Sequence, residues 1–132
     1  MNIKRIFIAL LLLAPLFANA QNSWWFKANT MRYTDEYEEW QEWQTCNVTV
    51  SFDVDNDWRL KLFMSPTNTI TIRKIKDYGN MVDDDGNTHY LWYGIDNEGL
   101  ECTLALVFYE TNVRLTIAYE YFQICYILEP DI

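Results

Sequence analysis

The chain has 132 residues, with nineteen acidic side chains against ten basic ones, a net charge of −9 and a 17% aromatic share. That balance makes nucleic acid and anionic membrane poor partners, because both are bound through an excess of Lys and Arg. Three cysteines allow at most one intramolecular disulfide, which excludes a disulfide-built miniprotein and leaves stability to a hydrophobic core.

Residues 1–20 combine a basic start (Lys4, Arg5), an apolar run over 6–17 and the small-residue end Ala18-Asn19-Ala20, the pattern of a cleaved secretory signal peptide. The run is shorter than the roughly 20 residues of a membrane-spanning helix. No cysteine follows the cleavage point to carry a lipid. The expectation is a secreted or periplasmic protein, mature from Gln21, with no membrane anchor. Residues 21–132 then form one β-barrel-like domain of 112 residues, with eight bases against nineteen acids and a net charge of −11. The plainest use of that acidity is to keep an aromatic-rich exported domain soluble.

WWFKANTMRY, with Phe26 and Ala28 alternating against Lys27 and Asn29, reads as a first strand. EYEEWQEWQT follows and holds Tyr37, Trp40 and Trp43 among four glutamates. As a strand it would leave Trp40 exposed, whereas a helical turn gathers the three rings on one side. A short helical or irregular segment near residues 35–45 is therefore predicted, laying Trp40 and Trp43 over one barrel end as a lid or rim.

From Cys46 the period is two. Val48, Val50, Phe52 and Val54 alternate with polar residues, Asp55-Asn56-Asp57 make a turn, and Leu60, Leu62 and Met64 follow before Pro66 closes the strand. Asp53, Asp55 and Asp57 open like a calcium loop, but Trp58 and Met64 stand where its glycine and last carboxylate belong. Ile70 and Ile72 begin another strand whose phase slips at Lys74-Ile75, a bulge or strand end. GNMVDDDGN, residues 79–87, reads as a loop. Its Asp83, Asp84 and Asp85 could offer oxygen ligands to a cation, though a solvated turn is the preferred reading.

His89, the one histidine, has no nucleophile signature around it and reads as structural or solvent-exposed. Tyr90 to Ile95 form a strand, Asn97-Glu98-Gly99 a turn, and Cys102, Leu104, Leu106 and Phe108 the next inward set. After Thr111-Asn112 come Leu115, Ile117 and Tyr119, then Phe122, Ile124, Tyr126 and Leu128, with Glu129-Pro130 as the end. Cys46 and Cys102 point inward and Cys125 outward, and no disulfide is expected.

Short strands with short connections favour an antiparallel meander, and closing it removes the exposed edges. The fold class is all-β: about eight strands in a closed lipocalin/avidin-like barrel, whose large inward residues favour a filled interior.

EEWQEWQTCNVTVSFDV, WRLKLFMS, DDDGN, GIDNEGLECTLAL and LTIAYEYFQICYIL together resemble a group of small secreted Bacteroidetes proteins of no known activity. The resemblance spans most of the chain after the leader and implies export and an all-β fold. It brings no catalytic residues.

No cofactor, metal or catalytic residue is indicated. The expected role is a non-enzymatic binding module for a small apolar or aromatic ligand or a protein partner, with Trp40, Trp43, Tyr37 and Trp92 as candidate contacts. Alternatives are an interaction or inhibitor protein of an exported complex, and a hydrolase or isomerase using a carboxylate pair.

Overall fold

The structure, a computed structural model, describes residues 23–53, 55, 59–65 and 67–130. The predicted leader, Val54, Asn56, Asp57 and Pro66 lie outside the described residues. Eight strands follow in chain order: β1 (Ser23–Tyr33), β2 (Gln44–Asp53), β3 (Arg59–Ser65), β4 (Asn68–Val82), β5 (Thr88–Asp96), β6 (Glu101–Phe108), β7 (Val113–Ala118) and β8 (Gln123–Pro130). Each pairs antiparallel with the next, and β8 returns to β1, closing an up-and-down barrel. Closure gives each strand a partner on both sides, which removes a free sheet edge over most of the barrel; among the described residues β4 pairs with β3 only from Asn68 to Ile72, so its later residues are laddered to β5 alone.

Alternation decides which side chains fill the barrel. Val113, Leu115 and Ile117 on β7 are buried, as are Leu104, Leu106 and Phe108 on β6 and Tyr126 and Leu128 on β8. Phe26, Val50, Phe52, Leu60, Leu62 and Ile72 complete the packing on the other side. A register shift at Asn29 preserves the phase of β1, so that Ala28 and Met31 both belong to the inner set. Gly94 is needed where β4 and β5 meet. A Cβ there would lie 2.7 Å from the Arg73 carbonyl oxygen and 2.9 Å from Ile72 Cγ2.

The phase slip at Lys74-Ile75 is a bulge, not a strand end. Lys74 pairs with Gly94 and Lys76 with Tyr93, which leaves Ile75 as the extra residue. A second bulge leaves Tyr78 over, with Gly79 at φ 81, a conformation glycine adopts without strain. The predicted loop over 79–87 therefore contracts to 83–87, and Gly79 to Val82 belong to β4. Another departure is Phe122, expected inward but 45% exposed in the β7–β8 turn.

The β4–β5 turn is organised by Asp83. Its Oδ1 accepts from the backbone N–H groups of Asp85 and Asn87, and its Oδ2 lies 2.9 Å from His89 Nε2. The histidine bond first, then the turn bonds, hold the Asp83 carboxyl down to about 2 against an ordinary 3.8. A depressed carboxyl contributes stability above its unfolded value and loses that contribution as pH falls through the folded one. Carbon NMR of the Asp83 carboxyl should thus show a midpoint near 2. His89→Ala should move that midpoint up.

All three cysteines are free thiols. Cys46 donates to the Ala28 carbonyl at 3.3 Å, and burial pushes the Cys102 thiol up to about 11.

Candidate functional site: a pocket in the barrel mouth

The two bulges in β4 build the site. Skipping Ile75 and Tyr78 puts Asp77 opposite Trp92 and Asn80 opposite Tyr90, so both polar residues share the inward phase of those rings. Trp24 joins from the start of β1, opposite buried Phe52, and Leu106 and Phe108 from the end of β6. These side chains surround a pocket of about 260 Å³ at the end of the barrel where β4 and β5 turn. Its wall is mainly aromatic: Tyr90 stacks on Trp92 at 6.3 Å and meets Phe108 edge-on at 5.6 Å.

The polar edge is fixed in place. Asp77 Oδ1 accepts from the Gly79 N–H at 2.6 Å, and Oδ2 stands 3.6 Å from Lys74 Nζ. Lys74 has the inward phase and lies with Phe52, Leu60, Ile72, Trp92 and Leu104 around a void of about 10 Å³, no larger than one water. Trp92 lines both spaces. It is the partition between a filled waist and an open mouth, so the expected filled interior describes the waist, and the mouth is hollow.

Among the described residues, polar contacts close the opposite end. Thr34 is buried, donates its N–H to the Gln123 carbonyl at 3.0 Å and accepts from the Gln123 N–H at 2.8 Å. Tyr119 donates its hydroxyl to Asp96 at 3.0 Å.

Of the four residues singled out from sequence, Trp92 lines the mouth, and the other three lie in the β1–β2 connection at the closed end. That connection is irregular, not helical. Asp35 Oδ1 accepts from the N–H groups of Tyr37 and Glu39, Glu38 takes a left-handed φ of 64, and Trp40 bridges back to Thr34. Tyr37 is 76% exposed. The tryptophans do not cap the barrel end; they lean on the outer wall, where arginines supply a better partner. Arg32 lies 4.8 Å from the Trp40 ring and 4.4 Å from Trp43, and Arg114 lies 5.3 Å from Trp43 and 4.8 Å from Tyr109. The result is a ladder, Trp40–Arg32–Trp43–Arg114–Tyr109, across β1, β8 and β7.

The ladder explains why Cys125, on the outer face of β8 opposite Arg32, is only 3% exposed. Trp43→Ala should break two cation–π contacts, lowering stability by about 2 kcal/mol in chemical denaturation. It should also speed alkylation of Cys125, read by mass spectrometry.

Sequence reading passed over Trp24, Asp77, Asn80, Tyr90 and Phe108. The alternation of Tyr90 with Trp92 and of Leu106 with Phe108 carried part of the signal. The first bulge, visible as the phase slip at Lys74-Ile75, brings Asp77 inward, and the second, which does the same for Asn80, left only Gly79 as a trace. Among the described residues no cluster of three or more His, Cys, Asp or Glu is placed to hold a metal ion.

Fold and site define a closed eight-stranded barrel with one hollow, aromatic-walled mouth. No known protein family, curated protein or solved structure gives a significant match to the chain.

Proposed function

We propose that the protein is an exported, lipocalin-like binding module that holds one compact ligand, an aromatic or apolar body with a single polar group, in the barrel mouth. The observation that carries this reading is the pocket itself. Rings from β1, β5 and β6 converge on a space of about 260 Å³, and a preformed Lys74–Asp77 pair with Asn80 sits at one edge. Pockets of this kind, apolar with a few placed polar groups, are the usual form of small-molecule sites, and a volume just under roughly 300 Å³ suits a ligand of one or two rings. The leader and the resemblance to secreted Bacteroidetes proteins support export. Binding is favoured over hydrolysis because Asp77 is the one carboxylate among the described lining residues, where glycoside chemistry uses two.

The neutral dye N-phenyl-1-naphthylamine tests this. It should bind saturably, at about one per chain, with energy transfer from tryptophan. Asn80→Trp, at an exposed position on the pocket's edge, should fill the mouth and weaken the dye at least about tenfold without lowering the melting temperature. Failure of the dye to bind, or equal affinity in the folded variant, would overturn the proposal.

A further inference from the structure

The β7–β8 turn breaks the rule its neighbours follow. The β4–β5 turn contains Asp, Gly and Asn, the β5–β6 turn Asn and Gly, and the β6–β7 turn Thr and Asn, each suited to reversing the chain. The β7–β8 turn is Tyr119-Glu120-Tyr121-Phe122, closed by the Tyr119 N–H donating to the Phe122 carbonyl at 2.8 Å. None of its residues is there for turn chemistry. Tyr119 and Phe122 stack at 5.0 Å with planes 20° apart, while Tyr121 is 79% exposed. A place where local preference is overridden, and large rings are held in water, is where a functional surface is expected.

That turn forms one wall of a groove of about 640 Å³ on the barrel's outer face, at the closed end and away from the mouth pocket. Thr103 and Ala118, a cross-strand pair with small side chains, make the floor. Tyr93 and Glu101 form the opposite wall, with half-exposed Leu100 beside them. Among the described residues the charged ones lining the groove are acidic, Glu101 and Glu120, and the adjoining turn adds Glu98; Lys76 stands outside the lining, opposite Tyr93 on β4. The local field is felt by Tyr93, whose hydroxyl is raised in pKa first by its hydrogen bond to Glu101 and then by burial.

We propose that this groove docks a basic segment of a partner protein, an arginine or lysine side chain flanked by apolar residues. The aliphatic stem would lie on the Tyr93, Tyr121 and Phe122 rings over the small-residue floor, and the cationic head would reach Glu101 or Glu120. Charge complementarity selects this occupant: a chain of net charge −9 offers a groove lined by acids and no base among the described residues. The groove holds more than one side chain, which favours a polypeptide over a small free cation.

The test is a nitrogen-15 NMR titration with a blocked Leu-Arg-Leu-Arg peptide, beside its Leu-Gln-Leu-Gln counterpart and free arginine amide. The arginine peptide should shift the amides of Tyr93, Thr103, Ala118 and Phe122. The double variant Glu101→Gln with Glu120→Gln, both exposed and so expected to melt unchanged, should bind it at least about tenfold more weakly. Shifts centred on residues 36–42, no shifts, or undiminished binding by the folded variant would each overturn the proposal. Equal binding of the glutamine peptide would overturn the basic character of the occupant, and equal binding of arginine amide its being a polypeptide.

Discussion

Trp92→Ala should destabilise the barrel by about 3–5 kcal/mol, the range for removing a large buried aromatic side chain. The ring is 8% exposed, stacked on Tyr90 and tilted against Phe52 at 6.5 Å. Its loss does more than leave a hole of its own size. Trp92 separates the small void at the waist from the open mouth, so alanine would join the two and admit water among Phe52, Leu60, Ile72 and Leu104. Partial collapse would relieve some of that cost, yet strands locked in a closed ladder have little freedom to move inward. Against the 5–15 kcal/mol that usually separates folded from unfolded chains, this is a large fraction. Urea denaturation gives the stability change directly. Trp92→Phe keeps a ring at the partition and should cost clearly less than alanine, because it leaves a smaller cavity. If alanine cost no more than phenylalanine, Trp92 would not be the partition described.

The barrel was legible in the sequence because a period-two pattern reports the face of each residue without knowledge of its neighbours. Val48, Val50 and Phe52, or Leu104, Leu106 and Phe108, needed no tertiary information to be placed inward. The mouth was not legible for the converse reason. It depends on two extra residues in β4, Ile75 before Asp77 and Tyr78 before Asn80, and each bulge changes the phase of the residue after it only relative to β5, a pairing the chain does not spell out locally. The β1–β2 connection is irregular, one of the two forms expected, but the placement of its tryptophans was missed for another reason. The helical reading sought the arrangement that hid most apolar surface, and in the structure Trp40 and Trp43 are satisfied by Arg32 and Arg114, residues with no regular spacing to them. Arg32 Nε is buried without a hydrogen-bond partner among the described residues, with the Trp40 and Trp43 rings against its guanidinium.

Asp96→Ala should cost about 3 kcal/mol and loosen the closed end. Asp96 is 9% exposed and accepts three bonds: from the Tyr119 hydroxyl at 3.0 Å, and from the N–H groups of Glu98 and Leu100 at 2.9 Å each. Bonds to a charged group contribute roughly 1.5–3 kcal/mol each, but not additively, since the two amides lie in a turn that water can reach. The Tyr119 hydroxyl is the donor most damaged by the loss, so Asp96→Ala with Tyr119→Phe should be less destabilised than the sum of the single changes. A pH dependence separates this bond from simple packing. Burial first, then the Asp96 carboxylate, hold Tyr119 in its neutral form well above the ordinary 10. A raised group contributes its stability in full below the unfolded value and loses it as pH rises toward the folded one. Stability should therefore fall above pH 10 as the unfolded chain's tyrosine ionises. Tyr119→Phe should make that alkaline decline shallower and leave the acid side unchanged, the remaining slope belonging to other raised groups such as Cys102 and Tyr126; an unaltered alkaline slope in the phenylalanine variant would show that the Tyr119–Asp96 bond does not hold this end of the barrel.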